Sequence, residues 1–140
     1  MTIYIEDMSV GQLAEYGKTI TDADIILFAG VTGDNNPVHI DQEYAEKTPF
    51  GTRIAHGMLT ASLISTVLGT RLPGPGTIYL SQSAKFKAPV KIGDTVQVRV
   101  TVKDIDLNRK RVTLETNCYV AGKLVLEGEA LAIAPSKPAA

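Results

Sequence analysis

Cysteine is scarce in this sequence, and neither sign of charge is in excess. The chain of 140 residues contains one cysteine, Cys118, so no disulfide can form within it. This favours a reducing, cytoplasmic setting, because disulfides accumulate in oxidising compartments. Lysine and arginine number 14 and aspartate and glutamate 15, which gives a formal net charge of -1. The basic excess typical of nucleic-acid-binding proteins is missing, and we expect no nucleic-acid partner.

The sequence also lacks the segments and motifs that indicate export, membrane insertion or a cofactor. The acidic Glu6 and Asp7 stand where a signal peptide has its basic region. The longest weakly polar stretch, residues 57–68, is shorter than the roughly 20 residues that span a bilayer. CxxC, HExxH, GxGxxG and GxSxG are absent, so zinc, dinucleotide and serine-hydrolase chemistry have no support. We expect no membrane partner, no metal and no cofactor.

Two segments in the first half of the chain have helical patterns. Residues 21–32 begin with Thr21, a suitable N-cap, and acidic residues follow it at the positive end of the helix dipole. The apolar residues Ile25, Phe28 and Ala29 fall at i, i+3 and i+4. The turn-forming GDNNP at 33–37 ends this helix, and a second short helix is predicted at about 41–47.

The second half of the chain combines one apolar helix with strands. Residues 57–70, GMLTASLISTVLGT, contain no charge and carry apolar or small residues on every face. This pattern predicts a helix that is buried all round. Beyond the loop PGPG at 73–76, apolar and polar residues alternate from Val96 and again from Val112, which is typical of half-buried antiparallel strands. Residues 77–88 and 123–134 add two further strands to a predicted meander.

These elements predict an α+β fold in which an antiparallel sheet wraps around one long central helix. Since an open sheet cannot cover a helix on all sides, we predict a homodimer whose second subunit covers the far side. The alternative is coverage by the N-terminal segment of the same chain. A single domain at 1–134 is expected, followed by a frayed tail at 135–140.

Asp34 and His39 are the first candidates for chemistry. They flank the turn that follows the first helix, and such a turn can bring an acid and an imidazole together in a cleft. A carboxylate and a neutral imidazole commonly move a proton to or from water near neutral pH. The alternative is that Asp34 only closes the turn and His39 is half-buried at the surface.

The start of the apolar helix is the second candidate. The first backbone N–H groups of a helix lack intrahelical partners and favour negative charge. Gly57 has no side chain, so a substrate oxygen can approach its amide, as stabilisation of an enolate requires. The alternative is that Gly57 only eases the turn into the helix. Within the helix, the Ser65 hydroxyl either bonds back to a carbonyl four residues earlier or touches the site.

Taken together, these motifs resemble one known family. FAGVTGDNNPVH at 28–39 is similar to the hydratase 2 motif of the MaoC-like, (R)-specific enoyl-CoA hydratases, and AHGML at 55–59 resembles their second block. LPGPGTIYL at 72–80 and FKAPV at 86–90 resemble short members that supply polyhydroxyalkanoate synthesis. The resemblance implies a hot-dog fold and a homodimer whose sheets join edge to edge.

The same resemblance implies an activity and a set of site residues. Asp34 and His39 are expected to activate a water that attacks C3 of a trans-2-enoyl-CoA, while a proton reaches C2 from the same side. Asn36 would orient this pair, and the Gly57 N–H would bind the thioester oxygen. Ser65 and Leu68 would line the site and the acyl pocket. Coenzyme A enters as part of the substrate, and the product is an (R)-3-hydroxyacyl-CoA of fatty-acid metabolism.

Three other functions, two catalytic and one of binding alone, are compatible with the same sequence. A 3-hydroxyacyl-thioester dehydratase, acting on coenzyme A or acyl carrier protein, runs the same reaction in reverse. A hot-dog thioesterase would direct water at the carbonyl carbon instead. A non-catalytic module would bind acyl thioesters without turning them over, although the intact Asp34 and His39 count against it.

Overall fold

The computed structural model describes residues 1–139, and Ala140, the last residue of the predicted tail, lies outside them. One sheet and one long helix account for most of the chain. The elements are listed in chain order: β1 Leu13–Thr19, α1 Asp22–Thr32, α2 Pro37–Ile40, α3 Gln42–Glu46, α4 Gly57–Thr70, β2 Ile78–Phe86, β3 Thr95–Asp106, β4 Arg111–Val120 and β5 Lys123–Ile133.

The five strands form one antiparallel sheet in the order β1-β3-β4-β5-β2. Strands β3, β4 and β5 form the predicted meander. The prediction was wrong for β2, which crosses to the far edge and pairs with β5 rather than with β3. It also missed β1, which pairs with β3 at the opposite edge. The sheet therefore has two edge strands, and each belongs to a segment outside the meander.

The core lies between the concave face of the sheet and α4, which packs on β1, β2 and β3. The predicted alternation of β3 is confirmed, because every second residue from Val96 to Val102 is buried. Burial of these side chains and of their α4 partners removes apolar surface from water, which is the dominant favourable contribution to folding. The buried apolar residues of α4 are Leu59, Ala61, Leu63, Ile64, Val67 and Leu68.

Helix α4 is not buried on all sides within one chain, in line with the prediction that an open sheet alone cannot cover it. Met58 is 63% exposed, and Ser62 and Ser65 on the same face are also exposed. Residues spaced four and then three apart share one face of a helix, so these three side chains form an uncovered stripe. The sheet, including its edge strand β1, reaches around only part of the helix and leaves this stripe uncovered.

The first residues beyond β5 are held in place, whereas the sequence predicted fraying from residue 135. The carbonyl of Pro135 accepts a hydrogen bond from the Ile5 N–H at 2.8 Å. The carboxylate of Glu6 accepts bonds from the Ser136 hydroxyl at 2.6 Å and the Lys137 N–H at 2.7 Å. These contacts tie the chain beyond β5 to a short 3₁₀ turn at Ile5–Asp7. Among the described residues, no helix combines the length and the hydropathy needed to cross a bilayer.

Candidate active site

The turn between α1 and α2 positions Asp34. Helix α1 begins with a capping box between Thr21 and Asp24, and it ends at Gly33, whose φ of 79° is left-handed. Glycine adopts this conformation without a Cβ penalty. The next residue, Asp34, donates its backbone N–H to the Thr32 hydroxyl at 3.1 Å, and its exposed carboxylate receives the Asn36 N–H at 3.4 Å.

Helix α2 then carries His39 into the interior. Asn36 is the N-cap of this helix, and its side-chain oxygen accepts the Val38 N–H at 3.3 Å. Pro37 follows at the first helical position, where its missing N–H costs nothing. Asn36 therefore acts on His39 through the helix start, and the structure gives it no side-chain bond to the ring.

His39 is buried, and one of its two ring nitrogens bonds to the backbone. Its side chain is 8% exposed, and Nδ1 donates to the Ile54 carbonyl at 2.8 Å, because a carbonyl can only accept. Nε2 is thereby left without a proton in the neutral ring. Burial lowers the pKa of His39 below its usual 6.5, and the nearby His56 adds to this, while the Ile54 bond and Asp34 oppose it. The Arg53 Nε donates to the His39 carbonyl at 2.6 Å and so fixes the end of α2.

The N-terminus of α4 faces the same space. Its N-cap residue, His56, makes no side-chain cap to the helix. The first amides of α4, beginning at Gly57, therefore keep their capacity to bind an anionic oxygen. A Cβ added to Gly57 would lie 2.8 Å from Phe86 Cε1, so any larger residue here requires the ring or the helix to shift.

These groups line one cleft with a volume of about 550 Å³. Its polar groups come from the turn before α2, from α2, from the start of α4 and, with Lys87, from the residue that follows β2. Its remaining walls are mostly apolar, as is usual for sites that bind small molecules. Its lining includes Asp34, His39, His56, Gly57, Met58 and Phe86.

Three of these groups are also near enough to one another for a shared cation. One ligand atom each from Asp34, His39 and His56 lie within 4.8 Å of one another. However, the two imidazole rings are stacked at 30° with centroids 4.0 Å apart. The lone pair of an imidazole nitrogen lies in the ring plane, and stacked rings do not direct two such lone pairs at one point. The arrangement favours contact between the rings over shared coordination.

The structure brings together Asp34, His39 and Gly57, three of the residues predicted from the sequence. It does not bring Ser65 and Leu68 into this cleft. Ser65 lies eight residues along α4, roughly 12 Å from Gly57, on the uncovered stripe. Leu68 is fully buried in the core. Their expected roles at the acyl chain stay predictions.

Two cleft residues were missed by sequence reasoning as site residues. His56 was noted only for its place before Gly57, yet its ring contacts His39 directly. Phe86 lies over Gly57 from the end of β2. The available signal was their position inside the blocks AHGML and FKAPV. That signal was not sufficient, because neither block shows which strand lies beside α4.

Comparison with known proteins assigns the family. Residues 8–124 match the model of the MaoC like domain. The chain belongs to this family. Among its MaoC-like relatives, the (R)-specific enoyl-CoA hydratase of Rhodospirillum rubrum is 58% identical over 134 residues, which cover 96% of this chain and 93% of the relative. The 3-hydroxybutyryl-CoA dehydratase of Methylorubrum extorquens is 51% identical over 135 residues, 96% of this chain and 86% of its own.

A solved structure agrees with this MaoC-like assignment. The R-hydratase PhaJ1 of Pseudomonas aeruginosa, in its unliganded form, aligns with a TM-score of 0.93 and 48% identity. The alignment covers 97% of this chain and 88% of the other. The hot-dog fold predicted from the sequence is thereby confirmed.

Proposed function

We propose that this protein is an (R)-specific enoyl-CoA hydratase, a hydro-lyase that adds water to trans-2-enoyl-CoA. The observation that carries the proposal is the meeting of three groups in one cleft: the Asp34 carboxylate, the free Nε2 of His39 and the amide end of α4 at Gly57. The names of the relatives support the same activity. Coenzyme A would enter as part of the substrate, without a separate cofactor.

The reaction follows from the charges in this cleft. The thioester oxygen accepts a hydrogen bond from the Gly57 N–H, which draws electrons from C3. Asp34 and His39 hold a water and remove one of its protons, and the water oxygen forms a bond to C3. The C2–C3 π electrons move toward the carbonyl, where the α4 N-terminus stabilises the enolate oxygen. The proton taken from the water then reaches C2, and the thioester carbonyl is restored.

The same groups act in reverse on a 3-hydroxyacyl thioester. Microscopic reversibility means that the site catalyses dehydration through the same transition state, which suits the relative named a 3-hydroxybutyryl-CoA dehydratase. Water and proton are delivered to the same face of the double bond, because Asp34 and His39 offer atoms within 4.8 Å of each other and act on one water. This arrangement supports syn addition, and the relative from Rhodospirillum rubrum supports the (R) product.

A direct assay tests the proposal. With crotonyl-CoA, the purified protein is expected to remove the absorbance of the enoyl thioester and to form (R)-3-hydroxybutyryl-CoA, identified by chiral analysis. Binding of crotonyl-CoA with unchanged absorbance would contradict the proposal and favour a non-catalytic module. Release of free coenzyme A thiol would instead indicate a thioesterase, and comparison with crotonyl-acyl carrier protein distinguishes the two carriers.

The acyl chain is proposed to extend along α4. From Gly57, the uncovered stripe passes Met58 and Ser62 to Ser65, a direction that leads away from the reacting carbons. Ser65 is proposed to border the chain, with Leu68 behind it.

Asn36 is proposed to position His39 through the cap of α2. A cytoplasmic location and a role in fatty-acid or polyhydroxyalkanoate metabolism belong to the same proposal.

A homodimer is proposed as the working form. Strand β2 is a sheet edge with unpaired backbone groups along one side, and it also exposes Ile78, Tyr79 and Leu80. Exposed apolar edge strands are templates for strand pairing. Pairing of two β2 strands would join two sheets edge to edge and bring a second subunit toward the uncovered stripe of α4. A second copy therefore both pairs the free backbone groups of β2 and covers the stripe of α4.

We expect a particle of about twice the 15.0 kDa of one chain in sedimentation equilibrium. Ile78→Lys should weaken the dimer at least ~10-fold, because an interface would bury an unpaired ammonium. Leu107→Lys is the matched control, since Leu107 is 52% exposed in the β3–β4 turn and Ile78 is 56% exposed. A wild-type monomer, or equal weakening by both substitutions, would refute this interface.

A further inference from the structure

His56 contacts both proposed catalytic residues without having a role of its own in the reaction described above. Its side chain is 2% exposed at the N-cap of α4. Instead of capping the helix, its Nε2 lies 2.9 Å from the backbone carbonyl of Asp34. A carbonyl only accepts, so Nε2 carries the proton and donates. This bond fastens the main chain of the Asp34 turn to the start of α4.

The ring of His56 also fixes His39. The two imidazoles stack with centroids 4.0 Å apart at 30°, and Phe28 lies near His56 with centroids 4.8 Å apart at 49°. The His56 ring therefore contacts both His39 and Phe28, the latter from α1. The His39 ring makes one hydrogen bond, from Nδ1 to the Ile54 carbonyl. Stacking on His56 limits rotation of the His39 ring about that bond.

The second nitrogen of His56 is unusual. Nδ1 is buried and has no hydrogen-bond partner within residues 1–139. A buried polar atom without a partner destabilises a fold, and the exceptions require an explanation such as a catalytic role. A phenylalanine would fill the same space without this cost, but it could not donate to Asp34. The cost is consistent with selection for the site rather than for packing.

We propose that His56 is a positioning residue that holds Asp34 and His39 in one relative geometry, through its Nε2–H bond to Asp34 and its stacking on His39. The inference rests on the proposed function, in which these two groups share one water. A water held by two groups requires both at a fixed separation, and displacement by about 1 Å can cost on the order of 100-fold in rate. Three charged groups face this pair: Asp34 acts on His39 through its charge, the Arg53 Nε donates to the His39 carbonyl, and Lys87 lines the same cleft.

Two substitutions separate the two contacts of His56. His56→Gln retains a donor at the position of Nε2 and removes the ring. His56→Phe retains the ring and removes the donor. Each is expected to lower kcat on crotonyl-CoA by on the order of 10- to 100-fold, with KM within about twofold of wild type. In His56→Gln, the pKa of His39 should also rise toward 6.5, because water reaches the exposed ring face.

The chain has only two histidines, so nitrogen NMR of histidine-labelled wild type reports the tautomer of each ring. This measurement depends neither on activity nor on the folding of the variants. We expect the Nδ1–H tautomer for His39 and the Nε2–H tautomer for His56. The opposite tautomer at His56 would overturn the inference. So would folded variants that keep wild-type kcat and the wild-type titration of His39. If wild type does not hydrate crotonyl-CoA, the proposed function fails, and the tautomers still test the contacts of His56.

Discussion

Asp34→Asn is expected to lower kcat for hydration of crotonyl-CoA by at least ~100-fold, the usual scale for loss of a general acid or base. The substitution keeps the size of the side chain but removes its negative charge. Asp34 is exposed, and the 3.4 Å contact with the Asn36 N–H is weak. The free energy of unfolding should therefore change little. Steady-state kinetics together with urea unfolding measures both quantities.

His39→Asn is the companion substitution and should lower kcat on the same scale. Asparagine can donate from the position of Nδ1, so the bond to the Ile54 carbonyl is retained while the free Nε2 is lost. Glu43→Gln is a matched control for loss of charge, because Glu43 is an exposed carboxylate on the adjacent α3. Retained activity in Asp34→Asn or His39→Asn would remove the basis of the proposed mechanism, and equal loss in Glu43→Gln would assign the effect to general electrostatics.

Local patterns were sufficient for the elements that carry strong local signals. Thr21 and Gly33 mark the two ends of α1, where a capping box and a left-handed glycine stand. The uncharged run of apolar and small residues gave α4 its bounds, and alternation gave β3 and β4. Each signal depends on contacts within a few residues, which is why the sequence alone carries it.

The features that the sequence left wrong or unresolved depend on distant partners. Strand β1 has a glycine at Gly17 and alternates only weakly, and its pairing with β3 is what defines it as a strand. The position of β2 beside β5 is a choice of topology that no local pattern records. The open stripe on α4 depends on how far the sheet curls. A polar or small residue such as Ser65 on an apolar helix was therefore ambiguous until the sheet was placed.

The candidate site divides in the same way. Asp34 and His39 are five residues apart across one turn, so their proximity follows from local structure. Gly57 joins them only because α4 packs with its N-terminus toward that turn. The stacking of His56 on His39 requires this tertiary arrangement, and so does the ring of Phe86 over Gly57. Sequence reasoning thus identified the residues that carry the chemistry more readily than the residues that hold them in place.

The other large effect is expected at Gly57. An alanine Cβ would lie 2.8 Å from Cε1 and 2.9 Å from Cδ1 of Phe86, closer than real contacts allow. Phe86 is 53% exposed, so its ring can move into the cleft rather than unfold the helix. A Phe86 ring displaced into the cleft keeps the thioester oxygen away from the Gly57 N–H. A shift of α4 that moves this amide has the same effect. Loss of one such donor lowers kcat by about 10²- to 10³-fold in other enzymes.

Gly57→Ala should therefore lower kcat on crotonyl-CoA at least ~100-fold, while the free energy of unfolding changes by at most about 1 kcal/mol. Gly30→Ala is the control, because Gly30 is also helical and, within residues 1–139, a Cβ there would meet no atom within 4 Å beyond its own stretch of helix. If the Phe86 ring is the obstacle, adding Phe86→Ala to Gly57→Ala restores part of the lost activity, since the Cβ then has room and the amide returns to its place. If the double variant recovers nothing, the added Cβ itself keeps the substrate oxygen away from the amide. Wild-type kcat in Gly57→Ala would show that no substrate oxygen approaches this end of α4, and the enolate would need another donor.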